Sequence, residues 1–147
     1  MLLLRATNTL PAGSDPGVED AVRTSTLDLI RLVAPTTVGA RLEAVVRDAQ
    51  GFLYLVARLG VTGASAALAA GLEQYLSRVR AASALPLAVG FGISTPAQAV
   101  AVAHLADGVV VGSALVEALG REGAAGAGRM LADLRAALDR ADRERIR

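Results

Sequence analysis

The sequence predicts an α/β fold in which parallel β-strands alternate with helices. Short apolar runs and helical patterns follow one another four or five times, and successive strands start roughly two dozen residues apart. The runs starting at Leu87 and Gly108 are continuously apolar, which is typical of parallel strands buried on both faces. Each of these two runs ends in a glycine turn and opens into a helical pattern. Part of a (β/α)8 barrel and an open doubly wound sheet both fit this alternation.

The elements follow from apolar runs, turn residues and helix caps. The predicted strands are residues 2–4, 27–34, 52–56, 85–89 and 108–111. Thr36 or Thr37 is expected to cap a helix that runs to about residue 49, and Thr95 to Gln98 reads as a capping box with proline at the first helical position. The remaining predicted helices are residues 18–24, 72–82, 96–105, 114–119 and 130–140, with a glycine-rich break at 120–128 between the last two.

Composition excludes several kinds of chemistry. The chain has 147 residues, a hydrophobic content of 53% and a formal net charge of +1, which favours one packed domain without a nucleic-acid or membrane surface. Lysine is absent, so no Schiff-base lysine exists, and the absence of cysteine excludes disulfides and thiolate chemistry. No His, Asp or Glu grouping has metal-ligand spacing. No apolar run is long enough to span a membrane, and a cytoplasmic location is expected.

Two glycine turns are the candidate binding site. Gly92 and Gly112 follow adjacent predicted strands, and a glycine lets the backbone approach a ligand closely because it has no Cβ. The helix after each turn offers unpaired N–H groups and the positive end of its dipole. Two such turns side by side predict a cradle for a phosphate group. Ser113 would add a hydroxyl donor.

Other polar residues receive structural interpretations. His104, the only histidine, is expected on the surface near a helix end. Asp107 and Asp28 precede strands, so we expect them at the amino ends of the sheet, opposite the binding site. Tyr54 alternates with Phe52 along a strand, which fits a core position as well as a pocket position.

Four segments together resemble the tryptophan synthase alpha chain family, a (β/α)8 barrel. The segments are Leu32-Val-Ala-Pro-Thr-Thr37, Gly51-Phe-Leu-Tyr-Leu-Val56 leading into Gly60-Val-Thr-Gly63, Val89-Gly-Phe-Gly-Ile-Ser-Thr-Pro96 and Ala106-Asp-Gly-Val-Val-Val-Gly-Ser-Ala114. The resemblance implies a single incomplete TIM-barrel domain over residues 1–147, roughly the C-terminal half with strands five to eight. Residues 27–119 match best, 1–26 resemble a degenerate remnant, and 129–147 form a C-terminal helix and tail.

The resemblance also implies an activity and a set of site residues. The family cleaves indole-3-glycerol phosphate to indole and glyceraldehyde 3-phosphate, in tryptophan biosynthesis. Arg58 resembles a residue of the loop that closes over the ligand. The substrate-binding residues implied in this chain are Tyr54, Thr62, Gly63, Phe91, Gly92, Gly112 and Ser113. The family's catalytic glutamate and aspartate belong to barrel strands that this chain lacks, so no catalytic residue is expected here apart from an auxiliary role for Tyr54.

Three hypotheses remain open from the sequence. The chain is the C-terminal portion of such a lyase, a non-catalytic phosphate-binding half barrel, or an inactive truncated fragment. The resemblance implies the tryptophan synthase beta chain as a partner, and pyridoxal phosphate would belong to that chain, with no cofactor and no metal in this one. A half barrel leaves strand edges and an apolar face open, which predicts self-association or pairing with a complementing N-terminal half.

Overall fold

The fold is built on a parallel β-sheet. The structure is a computed structural model that describes residues 16–57, 66–90 and 92–145. Within these residues the strands are β1 (Arg31–Val33), β2 (Leu53–Val56), β3 (Leu87–Gly90) and β4 (Gly108–Val110). The helices are α1 (Pro16–Arg23), α2 (Gly39–Arg47), α3 (Ala66–Ala82), α4 (Pro96–Ala103) and α5 (Ser113–Arg145). Each predicted strand from residue 27 onward is therefore found, in shortened form. The predicted strand at residues 2–4 lies outside the described residues.

The order of the strands distinguishes part of a (β/α)8 barrel from an open doubly wound sheet. The sheet runs β1-β2-β3-β4, every neighbouring pair is parallel, and the order never reverses. A doubly wound sheet reverses its strand order at one point and carries helices on both faces. Right-handed crossovers that always advance in one direction place their helices on one face, as in a barrel wall. The described sheet is thus half of a (β/α)8 arrangement.

The strand register assigns each side chain to one face of the sheet. Val33, Leu55 and Val89 are aligned across β1 to β3 and are fully buried in the core formed with the helices. The alternate row, which faces the inside of the barrel wall, is only partly buried and consists of Leu32, Tyr54, Ala88 and Gly108. This alternation follows from the two-residue period of a strand. It places Tyr54 on the inner face, away from the core.

Two helix starts differ in how they are capped. The prediction that Thr36 or Thr37 caps α2 is wrong: the N-cap is Val38, which makes no side-chain capping bond. Thr37 instead closes the turn after β1, since its N–H donates to the Ala34 carbonyl at 2.9 Å and its Oγ1 accepts from the Ala34 N–H at 3.2 Å. The Thr95 capping box at the start of α4 is confirmed, with both reciprocal bonds formed.

The glycine-rich break predicted at residues 120–128 is found inside the long helix α5, but it is confined to one residue. The backbone departs from helical angles at Gly123, and the residues on both sides of it are helical. Each glycine costs a helix only about 1 kcal/mol, and Ala127, Leu134 and Ala137 bury one face of the helix, which offsets that cost. Leu131, in the same helix, is 48% exposed. Even α5, the longest helix described, lacks the run of apolar residues that crossing a bilayer requires.

Asp107 joins three elements at the amino ends of β3 and β4, as its position before a strand predicts. One carboxylate oxygen accepts the Leu87 N–H at 2.8 Å, and the Asp107 N–H donates to the Leu87 carbonyl at 3.0 Å. The Arg80 guanidinium, from α3, lies 3.1 Å from the same carboxylate. Partial burial raises the pKa of Asp107, but the Leu87 N–H and Arg80 outweigh it, so the pKa is lowered overall.

Asp107→Asn should lower the stability of the folded chain by about 1 kcal/mol at neutral pH, because it removes the charge from both interactions. A carboxylate whose folded pKa is depressed stabilises the fold above its ordinary pKa of about 4 and loses that contribution as pH falls through the folded value. The difference between wild type and variant should therefore shrink below about pH 4. Urea unfolding at several pH values checks this, with the exposed Asp133→Asn as control. A difference that grows on acidification would contradict it.

Candidate functional site

The carboxyl edge of the sheet brings the two predicted glycine turns together. Gly90 on β3 and Val110 on β4 are partners in the parallel register. Gly92 and Gly112 each lie two residues beyond these partners, so both turns leave the sheet at the same edge and on neighbouring strands. In a (β/α)8 barrel this is the edge where ligands bind, and the phosphate site follows strands seven and eight.

Gly92 has a backbone conformation that favours glycine. Its φ is 83°, in the region that other residues rarely adopt, and the residue is exposed. The turn therefore depends on the missing Cβ for its shape. The Gly92 backbone is open to solvent at the edge of the sheet.

Gly112 and Ser113 form the start of α5. The Gly112 carbonyl accepts from the Leu115 N–H at 2.9 Å and from the Val116 N–H at 3.1 Å, which are the first hydrogen bonds of the helix. The N–H groups of Ser113 and Ala114 consequently have no acceptor within the helix. A Cβ built on Gly112 meets no atom within 4 Å, and both Gly112 and Ser113 are exposed. The space in front of these donors is therefore open to a ligand.

The start of α4 offers fewer donors than expected. Gln98 Oε1 accepts from the Ser94 N–H at 2.9 Å and from the Thr95 N–H at 3.1 Å, while the Gln98 N–H donates to Thr95 Oγ1 at 3.3 Å. Pro96 has no N–H to offer. The capping box thus uses the amides that a phosphate would need. The donors that this box leaves are the Ala97 N–H, those of the Gly92 turn and those of the start of α5.

Tyr54 lies across Gly90 on the inner face of the sheet. A Cβ built on Gly90 would overlap the tyrosine hydroxyl and lie 2.8 Å from Cζ and 3.0 Å from Cε2, which is closer than such atoms pack. Tyr54 is partly buried, and its ring therefore occupies the space that any other residue at position 90 would need. The phenol is held next to the strand that leads to Gly92. This geometry places it on the pocket side of the sheet, where an aromatic ring and a hydroxyl are both available to a ligand.

Several predicted site residues cannot be placed. Arg58, Thr62, Gly63 and Phe91 lie outside the described residues. The convergence of Gly63 with the other two glycine turns therefore stays a prediction. His104, in contrast, is found where predicted, exposed at the C-terminal end of α4.

Two features of the site were missed by the sequence reasoning. Gly90 was not singled out, although a second glycine so close to Gly92 was a signal that the backbone is approached there by another group. The ion pair between Glu122 and Arg129 in α5 could not be predicted from the sequence. The two residues are seven positions apart, and their side chains meet because the helix bends between them.

No carboxylate stands on the inner face of the four described strands. Their inward positions hold Leu32, Tyr54, Val56, Ala88, Gly90, Gly108 and Val110. Among the residues that the structure describes, no group of three or more His, Asp or Glu side chains is placed to hold a metal ion. The carboxyl edge and the inner face of the described strands therefore offer a ligand backbone amides and an aromatic ring.

Comparison with known proteins agrees with this geometry. The family model "Tryptophan synthase alpha chain" matches residues 7–143. Two similar relatives are tryptophan synthase alpha chains of Novosphingobium aromaticivorans, 46% identical over 92% of this chain and 52% of the relative, and of Rhizorhabdus wittichii, 47% identical over 92% and 51%. The chain thus spans about half the length of the curated relatives it matches.

Solved structures give the same result. Tryptophan synthase from M. tuberculosis, in its aminoacrylate-bound form, superposes with a TM-score of 0.74 and 34% identity over 90% of this chain and 49% of that one. Tryptophan synthase subunit alpha from Legionella pneumophila gives a TM-score of 0.75 and 31% identity over 92% and 51%. The sequential parallel sheet, the paired glycine turns and these matches lead to one conclusion: the chain belongs to the tryptophan synthase alpha chain family.

Proposed function

We propose that this chain is the phosphate- and indole-binding half of a lyase that cleaves indole-3-glycerol phosphate to indole and glyceraldehyde 3-phosphate in tryptophan biosynthesis. The observation that carries the proposal is the position of Gly92 and of Gly112 with Ser113, two residues beyond paired residues on adjacent strands. Their backbone amides would hold the phosphate, whose negative charge is favoured at the start of α5 by the helix dipole.

The other assignments extend this proposal along the substrate. Tyr54, on the inner face beside Gly90, would contact the indole or glycerol portion, and Phe91 would line the same pocket. Thr62 and Gly63 would complete the phosphate site, and Arg58 would take part in closing a loop over the ligand. These roles rest on family membership for Arg58, Thr62, Gly63 and Phe91.

The reaction needs an acid and a base that the described half does not supply. Cleaving the bond to indole requires a proton on the indole ring and removal of a proton from the glycerol hydroxyl, steps for which carboxyl groups are suited. We therefore propose that these groups come from the strands that precede this half in the longer relatives. A non-catalytic phosphate-binding half barrel is the second candidate, favoured by the absence of carboxylates from the inner face of the described strands.

An assay of indole release separates the two candidates. The purified chain should bind glycerol 3-phosphate and release no indole from indole-3-glycerol phosphate on its own. Adding the separately produced N-terminal half of the Novosphingobium aromaticivorans relative should restore release. Turnover by the chain alone would contradict the proposal that the acid and the base come from the preceding strands. Binding without turnover in the mixture would favour the non-catalytic candidate.

Association is expected at the edge of β4. This strand is an outer strand of the described sheet, and an apolar cavity of about 440 Å³ borders it, lined by Phe52, Val109, Val111 and Leu131 among others. An open strand edge beside apolar surface pairs readily with another chain. Light scattering should show a dimer or larger species, or a complex once a complementing half is added. A monodisperse monomer that stays monomeric in the mixture would contradict this.

The tryptophan synthase beta chain is the partner that family membership suggests, and pyridoxal phosphate would be bound by that chain. Sedimentation of this chain with the beta chain of a relative tests the pairing. A joint species is expected in the presence of the complementing half, and separate boundaries under all conditions would contradict it.

A further inference from the structure

The helix α5 consists of two segments that meet at Gly123. This residue has φ 66° and ψ −169°, a conformation that is essentially restricted to glycine, and a Cβ built there meets no atom within 4 Å. The first segment, residues 113–122, begins at Ser113 and carries the unpaired amides. The second segment, residues 124–145, packs on the core.

The two segments are anchored unequally. Ala127, Leu134 and Ala141 of the second segment are buried. Val116 and Leu119 of the first segment are 69% and 52% exposed. The core therefore fixes the second segment firmly, while the direction of the first depends more on its two ends.

One contact closes the bend between the segments. The Arg129 guanidinium donates to Glu122 Oε2 at 2.9 Å, across Gly123. A Cβ built on Gly126 would overlap Glu122 Cβ and lie 2.8 Å from Oε2 and 3.2 Å from Cδ. In a straight helix the Cβ atoms of residues i and i+4 are about 5–6 Å apart. The close approach of Glu122 to position 126 therefore exists only because the helix is bent. The Glu122 side chain passes over Gly126 to reach Arg129.

The bend is continuous with the candidate binding site. A groove of about 410 Å³ runs from Ser94, in the turn after β3, past Ala114 to Arg129 at the bend. A change in the angle at Gly123 would therefore move the start of α5 relative to the Gly92 turn.

We propose that Gly126 and the Glu122–Arg129 ion pair are positioning residues for phosphate. They fix the angle between the two segments of α5 and so hold the Ser113 and Ala114 amides opposite the Gly92 turn. This role rests on the proposed phosphate site. It concerns a class of ligand with a terminal phosphate monoester, and neither Glu122 nor Arg129 needs to contact that ligand.

The bend can be measured without ligand. The chain contains no cysteine, so Val116→Cys with Arg140→Cys gives two unique sites for spin labels, one on each segment. Glu122→Gln and Gly126→Ala should broaden or shift the distance distribution. Glu117→Gln, which removes the ion pair with Arg121 inside the first segment, and Gly120→Ala, where a Cβ meets no atom within 4 Å, should leave it unchanged.

Binding of glycerol 3-phosphate is the second readout. Glu122→Gln should weaken binding by roughly threefold, as expected for the loss of one exposed ion pair. Gly126→Ala should have the same effect, because the added Cβ would overlap Glu122. The two controls should leave binding unchanged. Exchanging the charges in the double variant Glu122→Arg with Arg129→Glu should restore the wild-type distance distribution and the wild-type affinity. Unchanged distances in Glu122→Gln and Gly126→Ala would overturn the positioning role, whatever binding shows. No binding by the unaltered chain would instead contradict the phosphate site, and the positioning role would fall with it.

Discussion

Gly112→Asp should abolish the binding of glycerol 3-phosphate while leaving the fold intact. A Cβ at Gly112 meets no atom within 4 Å, so the added side chain fits without moving its neighbours. It would project into the open space in front of the Ser113 and Ala114 amides. A carboxylate there repels a phosphate, and like charges in contact cost several kcal/mol, which corresponds to a loss of affinity of at least about 100-fold.

Gly120→Asp is the matched control for this loss. It adds the same charge to the same segment of α5, at a second glycine whose Cβ position meets no atom within 4 Å. Calorimetric titration should show near wild-type affinity for the control and none for Gly112→Asp, with equal melting temperatures. Equal affinity in the two variants would place the phosphate elsewhere.

Gly90→Val should destabilise the chain by about 3 kcal/mol through one contact, the overlap with Tyr54. Tyr54 is paired with Leu32 and Ala88 in the inner row and its ring reaches over Gly90, so with valine there the ring must move aside or push the strands apart. The same ring would leave the pocket side of the sheet. Urea unfolding gives the free energy, and a fall in the denaturation midpoint without a change in slope is expected.

A double-mutant cycle isolates the cause. With Tyr54→Ala in place, Gly90→Val should cost less than about 1 kcal/mol, since the overlapping ring is gone. Gly108→Val is a useful comparison on the inner row of β4, where a Cβ would lie 3.5 Å from Ala88 Cβ, an ordinary contact. An equal cost of Gly90→Val with and without the ring would show that the backbone at position 90, and not Tyr54, requires glycine.

The sequence predicts the order of elements well because each depends on local pattern. The strands from residue 27 onward, the helices α2 and α3 and the capping box of α4 all follow from hydrophobic period and cap chemistry. Prediction fails where an unmarked hydrogen bond or packing on the core decides the outcome. Thr37 bonds back to Ala34 and closes a turn in place of capping α2. The predicted break in α5 is reduced to one residue, Gly123, because one face of the helix that follows packs on the core.

The site is predicted in part for the same reason. Gly92 and Gly112 are marked by their place after strands, and the parallel register brings them to one edge. The dependence of Gly90 on Tyr54 joins residues on two strands, and the Glu122–Arg129 pair exists only across a bend. Neither the Tyr54–Gly90 contact nor the Glu122–Arg129 ion pair can be predicted from the spacing of residues along the sequence. The order of the four strands, which excludes the doubly wound sheet, likewise had to be read from the fold.

The central claim is that backbone amides after β3 and β4 hold a phosphate monoester. Titrating glycerol 3-phosphate into ¹⁵N-labelled chain and following each amide resonance tests this most directly. The largest shifts should fall on Gly92, Gly112, Ser113 and Ala114, while the Thr95 amide, already bonded to Gln98, should move little. Saturable shifts confined to other parts of the chain, or none at millimolar ligand, would contradict the claim.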